Sequence, residues 1–249
     1  MDLSVRCHKK GFNMKIYFWG DSLTRGQLGY SLAPDCSGGA ERRNFGENGD
    51  TTYGIFKRLF AFLETAGDRE GIYVVAAGTN DLLLQYKRKA SFLWRLRALG
   101  AMPRKRPAKD VRAFEQLYRN GIKQLTARVP HVVLVGIPYF EIEDFPQDTI
   151  RRYNAVIAQI AADYGLPFVD CYGIQTQLMG QGARHFCKHS FTGVALTTAA
   201  MKLCPGIKER LSSWQHLSVT VDGVHLNKKS AMAIGKAVEQ KLCDMIGAD

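Results

Sequence analysis

Short strand-forming runs alternate with longer segments of helical periodicity, and this alternation constrains the fold more than any other feature of the chain. Strands are expected over Lys15 to Trp19, Arg42 to Phe45, Tyr73 to Ala77, Val132 to Ile137 and Pro167 to Asp170. Helices are expected over Tyr53 to Ala66, Asp110 to Val129 and Thr149 to Tyr164, with Asp110 as a cap. Val111, Phe114, Leu117, Tyr118, Ile122 and Leu125 place one buried stripe on the second of these helices. Strands joined through helices run parallel, and parallel sheets are covered on both faces. The expected architecture is a three-layer α/β/α sandwich. With 249 residues, 46% of them hydrophobic, the chain is long enough for one sizeable core. No repeat or low-complexity linker divides it, so residues 1–249 are read as a single domain.

The first strand runs into Gly20-Asp21-Ser22-Leu23. A glycine after strand residues, then a serine and a run able to open a helix, puts a hydroxyl at the C-terminal edge of the sheet, where such folds bind ligands. A helix starting there would direct its unpaired N–H groups and positive dipole end toward negative charge developing at the serine oxygen. Downstream stand Asn48-Gly49-Asp50-Thr51, then Gly78-Thr79-Asn80-Asp81 behind a strand, and Asp222-Gly223-Val224-His225 near the C-terminus. A serine hydroxyl needs a base, and His225 is the natural one, since imidazole titrates near neutrality.

These four ordered blocks resemble the SGNH hydrolases, also called the GDSL family of esterases and lipases. The resemblance covers about the whole chain and implies a central parallel five-stranded sheet of flavodoxin-like strand order. It implies Ser22 as nucleophile, His225 as base and Asp222 as the carboxylate that orients His225 through Nδ1. It also implies an oxyanion hole made by the backbone N–H groups of Ser22 and Gly49 and the side-chain amide of Asn80. Glycine at 49 is expected to let the loop approach the reacting carbonyl closely. Asp21 and Asp81 are read as structural acceptors. The family usually has a small residue before the glycine of its second block; here Asn48 stands there, after Glu47. The implied activity is ester hydrolysis through an acyl-enzyme without metal or organic cofactor. Carbohydrate O-deacetylation is one candidate, with lysophospholipid or thioester hydrolysis, or acyl transfer, as alternatives.

Two segments exceed the minimal pattern. Gln85 to Arg106 carries Lys87, Arg88, Lys89, Arg95, Arg97, Arg104, Lys105 and Arg106 with no acidic residue, and so supplies most of the net charge of +11. Interleaved with Tyr86, Phe92, Leu93, Trp94, Leu96 and Leu99, it reads as a basic amphipathic insertion facing anionic substrates or surfaces. Cys171 to Trp214 is a second insertion, before the Asp-x-x-His block. The basic balance invites a nucleic-acid binder, but no recognised binding motif accompanies it. A catalytically dead binding module, the other non-enzymatic reading, would be favoured by loss of a key residue, and all are present.

The six cysteines at 7, 36, 171, 187, 204 and 243 are scattered, which favours free thiols and a cytoplasmic location. His185, Cys187, His189 and Cys204 fit no standard zinc spacing. No stretch of about 18 apolar residues is present to span a membrane. Residues 1–13 lack the pattern of a secretory signal and are expected to be a dispensable extension or a matter of start-site choice before Met14.

Overall fold

A computed structural model describes residues 15–33, 40–65, 68–180, 185–188 and 190–248. The N-terminal extension, Cys7, Cys36, Ala66 and His189 lie outside the described residues. Five parallel strands form one sheet: β1 (Lys15–Gly20), β2 (Glu41–Gly46), β3 (Ile72–Ala76), β4 (His131–Val135) and β5 (Phe168–Val169). Their order is β2-β1-β3-β4-β5, the flavodoxin-like arrangement. The helices are α1 (Ser22–Arg25), α2 (Thr52–Thr65), α3 (Thr79–Ala90), α4 (Phe92–Lys105), α5 (Val111–Thr126), α6 (Gln147–Asp163), α7 (Cys171–Met179), α8 (Phe191–Leu203), α9 (Lys208–Trp214) and α10 (Lys228–Ala248).

Side chains on a strand point alternately to the two faces, and β1 shows how that builds the layers. Tyr17 and Trp19 face a core with Ile55, Phe56 and Leu59 of α2, Phe114, Tyr118 and Ile122 of α5, and Ile150, Tyr153 and Ile157 of α6. Ile16 and Phe18 face the opposite core, with Ile234, Val238 and Leu242 of α10. The periodic stripe expected on the 110–129 segment is the buried face of α5, and Asp110 caps it by accepting from Ala113 N–H at 2.8 Å. Burial on both faces explains why β3 and β4 read as continuous apolar runs.

The register Gly20↔Gly46 and Gly20↔Ala76 brings the ends of β1, β2 and β3 level. The chain following each of them therefore leaves from one edge. Ser22, Gly49 and Asn80 all lie in those segments. The insertions fold as helices: 85–106 forms the second half of α3 and all of α4, and 171–214 contributes α7, α8 and α9.

Candidate active site

At Gly20 the chain turns sharply out of the sheet. A Cβ there would lie 2.0 Å from Thr24 Oγ1 and 2.9 Å from the Ala76 carbonyl oxygen, so the close approach requires glycine. Asp21 then caps α1, accepting from Leu23 N–H at 2.9 Å. Ser22 is held there, only 6% exposed. The helix after it is a single turn of four residues, closed by Gly26 at φ 75°. Such a turn carries little dipole, which corrects the expectation of a helix field on Ser22. What the turn offers is N–H groups.

The Asp222 block reaches Ser22 from a tight loop in which Val221 N–H donates to the His225 carbonyl at 2.7 Å. His225 Nε2 lies 3.0 Å from Ser22 Oγ, and His225 Nδ1 lies 2.8 Å from Asp222 Oδ2. Asp222 Oδ1 also accepts from the backbone N–H groups of His225 at 2.9 Å and Val224 at 3.1 Å. Burial alone would raise the Asp222 pKa; the facing His225 charge and these hydrogen bonds outweigh it and hold it down at about 2. An ionised carboxylate only accepts, so Nδ1 carries the proton, and in the neutral ring Nε2 presents its lone pair to the serine hydroxyl.

Gly49 sits in the turn after β2, at φ 72°. That positive φ favours glycine, and a Cβ built there would point into open space with no protein atom within 4 Å. Asn48, the departure from the family pattern, ties this turn to the loop after α1, its Nδ2 donating to Gln27 Oε1 at 2.7 Å. Asn80, in the first turn of α3, donates from Nδ2 to Asp21 Oδ2 at 3.1 Å and to the Asp50 carbonyl at 2.8 Å. It therefore bridges the residues beside Ser22 and Gly49. Both of its amide hydrogens are directed at protein acceptors, whereas the N–H groups of Ser22 and Gly49 have none among the described residues. Burial pushes the Asp21 carboxyl up to about 6, against the Leu23 N–H and the His225 charge.

Several supporting residues escaped the sequence reading. Arg58 of α2 gathers the edge: it pairs with Asp50 at 2.8 Å and donates to the carbonyls of Phe45 at 2.8 Å and Gly20 at 3.1 Å. Glu141, 1% exposed, accepts from the N–H groups of Ser218, Val219 and Thr220 and from the Thr220 hydroxyl, at 2.6 to 3.1 Å. It thus fixes the strand of chain leading into Asp222. Lys208 donates to the carbonyls of Gly26 and Gly29, and Gly29 packs against His225. Asp81, expected as a structural acceptor, accepts from Thr52 N–H, Thr52 Oγ1 and Ala108 N–H. Arg58, Glu141 and Lys208 are each a single charged residue in a helix or loop, where sequence gives no sign of a buried partner. Only the order of the four blocks signalled the site.

The other residues singled out take varied places. Cys187 donates from Sγ to the Asp222 carbonyl at 3.3 Å, and burial pushes its thiol up to about 12. His185 rests against the His216 ring, and Cys204 is exposed. The basic insertion is not one uniform patch. Lys87 lies over the Trp94 ring at 4.4 Å, Lys105 Nζ is 4.0 Å from Asp50 Oδ1, and Arg106 donates to Tyr53 OH at 3.0 Å.

A lipase/acylhydrolase from Enterococcus faecalis superposes with TM-score 0.56 at 19% identity, over 93% of this chain and 96% of that one. An acetylxylan esterase from Geobacillus stearothermophilus gives TM-score 0.59 at 19% identity, over 94% and 96% of the two chains. A lipolytic G-D-S-L family protein from Veillonella parvula gives 0.56 at 15% identity, over 91% and 97%. At these identities the likeness is one of fold. No curated protein sequence matches the chain significantly. The family model described as GDSL-like lipase/acylhydrolase matches residues 17–202. By that match, spanning most of its length, this chain belongs to the GDSL-like lipase/acylhydrolase family of ester-bond hydrolases.

Proposed function

We propose that the chain is a serine esterase working through an acyl-enzyme. The observation that carries this reading is the hydrogen-bonded line Ser22–His225–Asp222. His225 Nε2 takes the Ser22 proton as Oγ attacks the ester carbonyl, and Asp222 stabilises the imidazolium. The oxyanion is met by the N–H groups of Ser22 and Gly49. Asn80 joins them as one of its amide hydrogens turns from a protein acceptor to the oxyanion. Collapse of the tetrahedral intermediate returns the proton from His225 to the leaving alcohol. Water then enters, gives its proton to His225, and the second intermediate releases the acid and restores Ser22.

For the substrate we favour a short acyl group, with carbohydrate O-acetyl esters first. Two features support this. Ser22 is only 6% exposed, and it lines neither the cleft of about 980 Å³ beside α3 and α4 nor the one of about 730 Å³ behind α1. A structural relative is an acetylxylan esterase. The test is a panel of nitrophenyl esters of increasing acyl length with wild type and Ser22→Ala. Acetyl ester should be hydrolysed at least about tenfold faster than octanoyl, and Ser22→Ala should lose ~10³-fold or more. Preference for the longer chain would replace this substrate reading with the lysophospholipase type, and an active Ser22→Ala would end the serine mechanism.

We also read residues 1–249 as one domain built on the single sheet, located in the cytoplasm. The buried thiols of Cys171 and Cys187 support a reducing compartment. Titration of denatured, unreduced protein should find free thiols only, and a stable disulfide would move it to an oxidising compartment.

A further inference from the structure

Helix α4 faces the wrong way for a globular surface. Its buried side is small, made by Trp94 and Ala98 at 4% and 1% exposed. Phe92, Leu96 and Leu99, at i, i+4 and i+7, form a stripe on the opposite side that is 73%, 54% and 45% exposed, and Leu93 widens it at 51%. By helical spacing Arg95 borders this stripe on one side and Arg104 on the other, both exposed. Among the described residues nothing covers it.

Beside α4 lies a cleft of about 980 Å³ between α3, α4 and the starts of α5, α6 and α8. Leu93 belongs to both the stripe and this cleft. The cleft is walled by aromatic rings, including Tyr86, Phe145 and Phe191, and it carries Arg88, Lys89, Lys109 and Arg152. None of these four cations has a carboxylate partner among the described residues. The cleft's own carboxylates are Asp110, occupied in capping α5, and Asp144.

We propose that this face docks the protein onto an anionic lipid surface: the α4 stripe enters the acyl boundary, and the neighbouring cleft takes up lipid phosphate. Charge complementarity selects the occupant. An apolar stripe of phenylalanine and leucine bordered by arginines, in a segment without a single acidic residue, is the composition of an interfacial helix. A second copy of the chain is disfavoured, because two-fold pairing through α4 would set arginines against arginines. The far end of α4 reaches the oxyanion turn, where Lys105 faces Asp50 and its carbonyl accepts from the Thr51 hydroxyl. The esterase reading is not needed for this inference.

The test is flotation with vesicles of phosphatidylcholine alone and of phosphatidylcholine with about one third phosphatidylglycerol, a charge-bearing composition. Wild type should bind the anionic vesicles at least about tenfold more tightly, and binding should weaken at about 1 M salt, where screening acts over about 3 Å. Leu96→Asp with Leu99→Asp should lose about tenfold or more while circular dichroism and the melting temperature stay at wild-type values, because both side chains are exposed. Arg88→Glu with Lys89→Glu, which leaves the stripe intact, should also weaken binding about tenfold or more. Failure to bind anionic vesicles, equal binding to both kinds, or wild-type binding by both variants would overturn the proposal. So would a dimer by sedimentation equilibrium that Leu96→Asp with Leu99→Asp converts to monomer, since the face would then join two copies.

Discussion

Asn80 cannot act as a free donor while its two amide hydrogens point at Asp21 and the Asp50 carbonyl, so the carboxylate beside Ser22 holds the amide proposed to meet the oxyanion. Asp21 is buried, and its pKa stands at about 6 against roughly 3.9 in an unfolded chain. Between those values the folded chain holds a proton that the unfolded chain has lost, so this group makes stability fall as pH rises through the window. Asp21→Asn keeps the cap but cannot ionise. Its melting temperature should lack the fall that the Asp21 titration gives wild type between about pH 4 and pH 7, a fall equivalent to about 2 to 3 kcal/mol. It should also show a pH-independent loss, because the new Nδ2 faces the Asn80 Nδ2 donor. Its kcat should fall, because the donor that Asp21→Asn presents to Asn80 Nδ2 pushes that amide out of place; chemical or thermal unfolding across pH with parallel kinetics reads both. Asp222 has the opposite sign: its pKa, held at about 2, contributes stability present above about pH 4 and lost as pH falls toward 2. Asn80→Ala should lose ~10²-fold in kcat with KM little changed, and an effect on KM alone would remove its role toward the oxyanion. At this scale the meeting of Ser22, His225 and Asp222 at one edge was legible, because each stands in a short motif at a fixed place in the order. The Asp21–Asn80 bond was not, since it joins residues 59 positions apart.

Elements place these residues by means the sequence shows only in part. The strand ends were legible within a few residues because burial on both faces leaves continuous apolar runs. The start of α5 followed from capping and periodicity. The extent of α1 is not legible, since nothing in Ser22-Leu23-Thr24-Arg25 announces that Gly26 will close the helix after one turn. Nor does a glutamate in the loop after β4 announce that four donors from 218–220 converge on it. Removing that acceptor strands buried N–H groups, which costs about 1 to 3 kcal/mol for each group left unpaired. Glu141→Ala should therefore destabilise by about 3 kcal/mol or more, a fall of about 6–12 °C in melting temperature for a chain of this size. Activity at temperatures below the transition should fall as well, since the loop carrying Asp222 and His225 loses its anchor. Unchanged melting and kinetics would show that the loop is held by other contacts, such as the donation of Glu141 N–H to the Gly223 carbonyl.

Across the whole molecule, one topological fact organises the chemistry: three adjacent parallel strands, β2, β1 and β3, release their chains at a common edge. The strand–helix alternation made that edge legible, as parallel sheets gather loops at the carboxyl ends of their strands. The helical insertions were legible only as composition. Their basic and apolar residues told of an unusual surface, but periodicity alone cannot say which side of α4 faces the protein. The central claim is that Ser22 is a nucleophile activated by His225, and the measurement that tests it most directly is mass spectrometry of the protein after a fluorophosphonate. One adduct on the Ser22 peptide is expected, lost in Ser22→Ala and slowed by ~10³-fold or more in His225→Ala. Labelling of another serine, or undiminished labelling of Ser22 without His225, would contradict it.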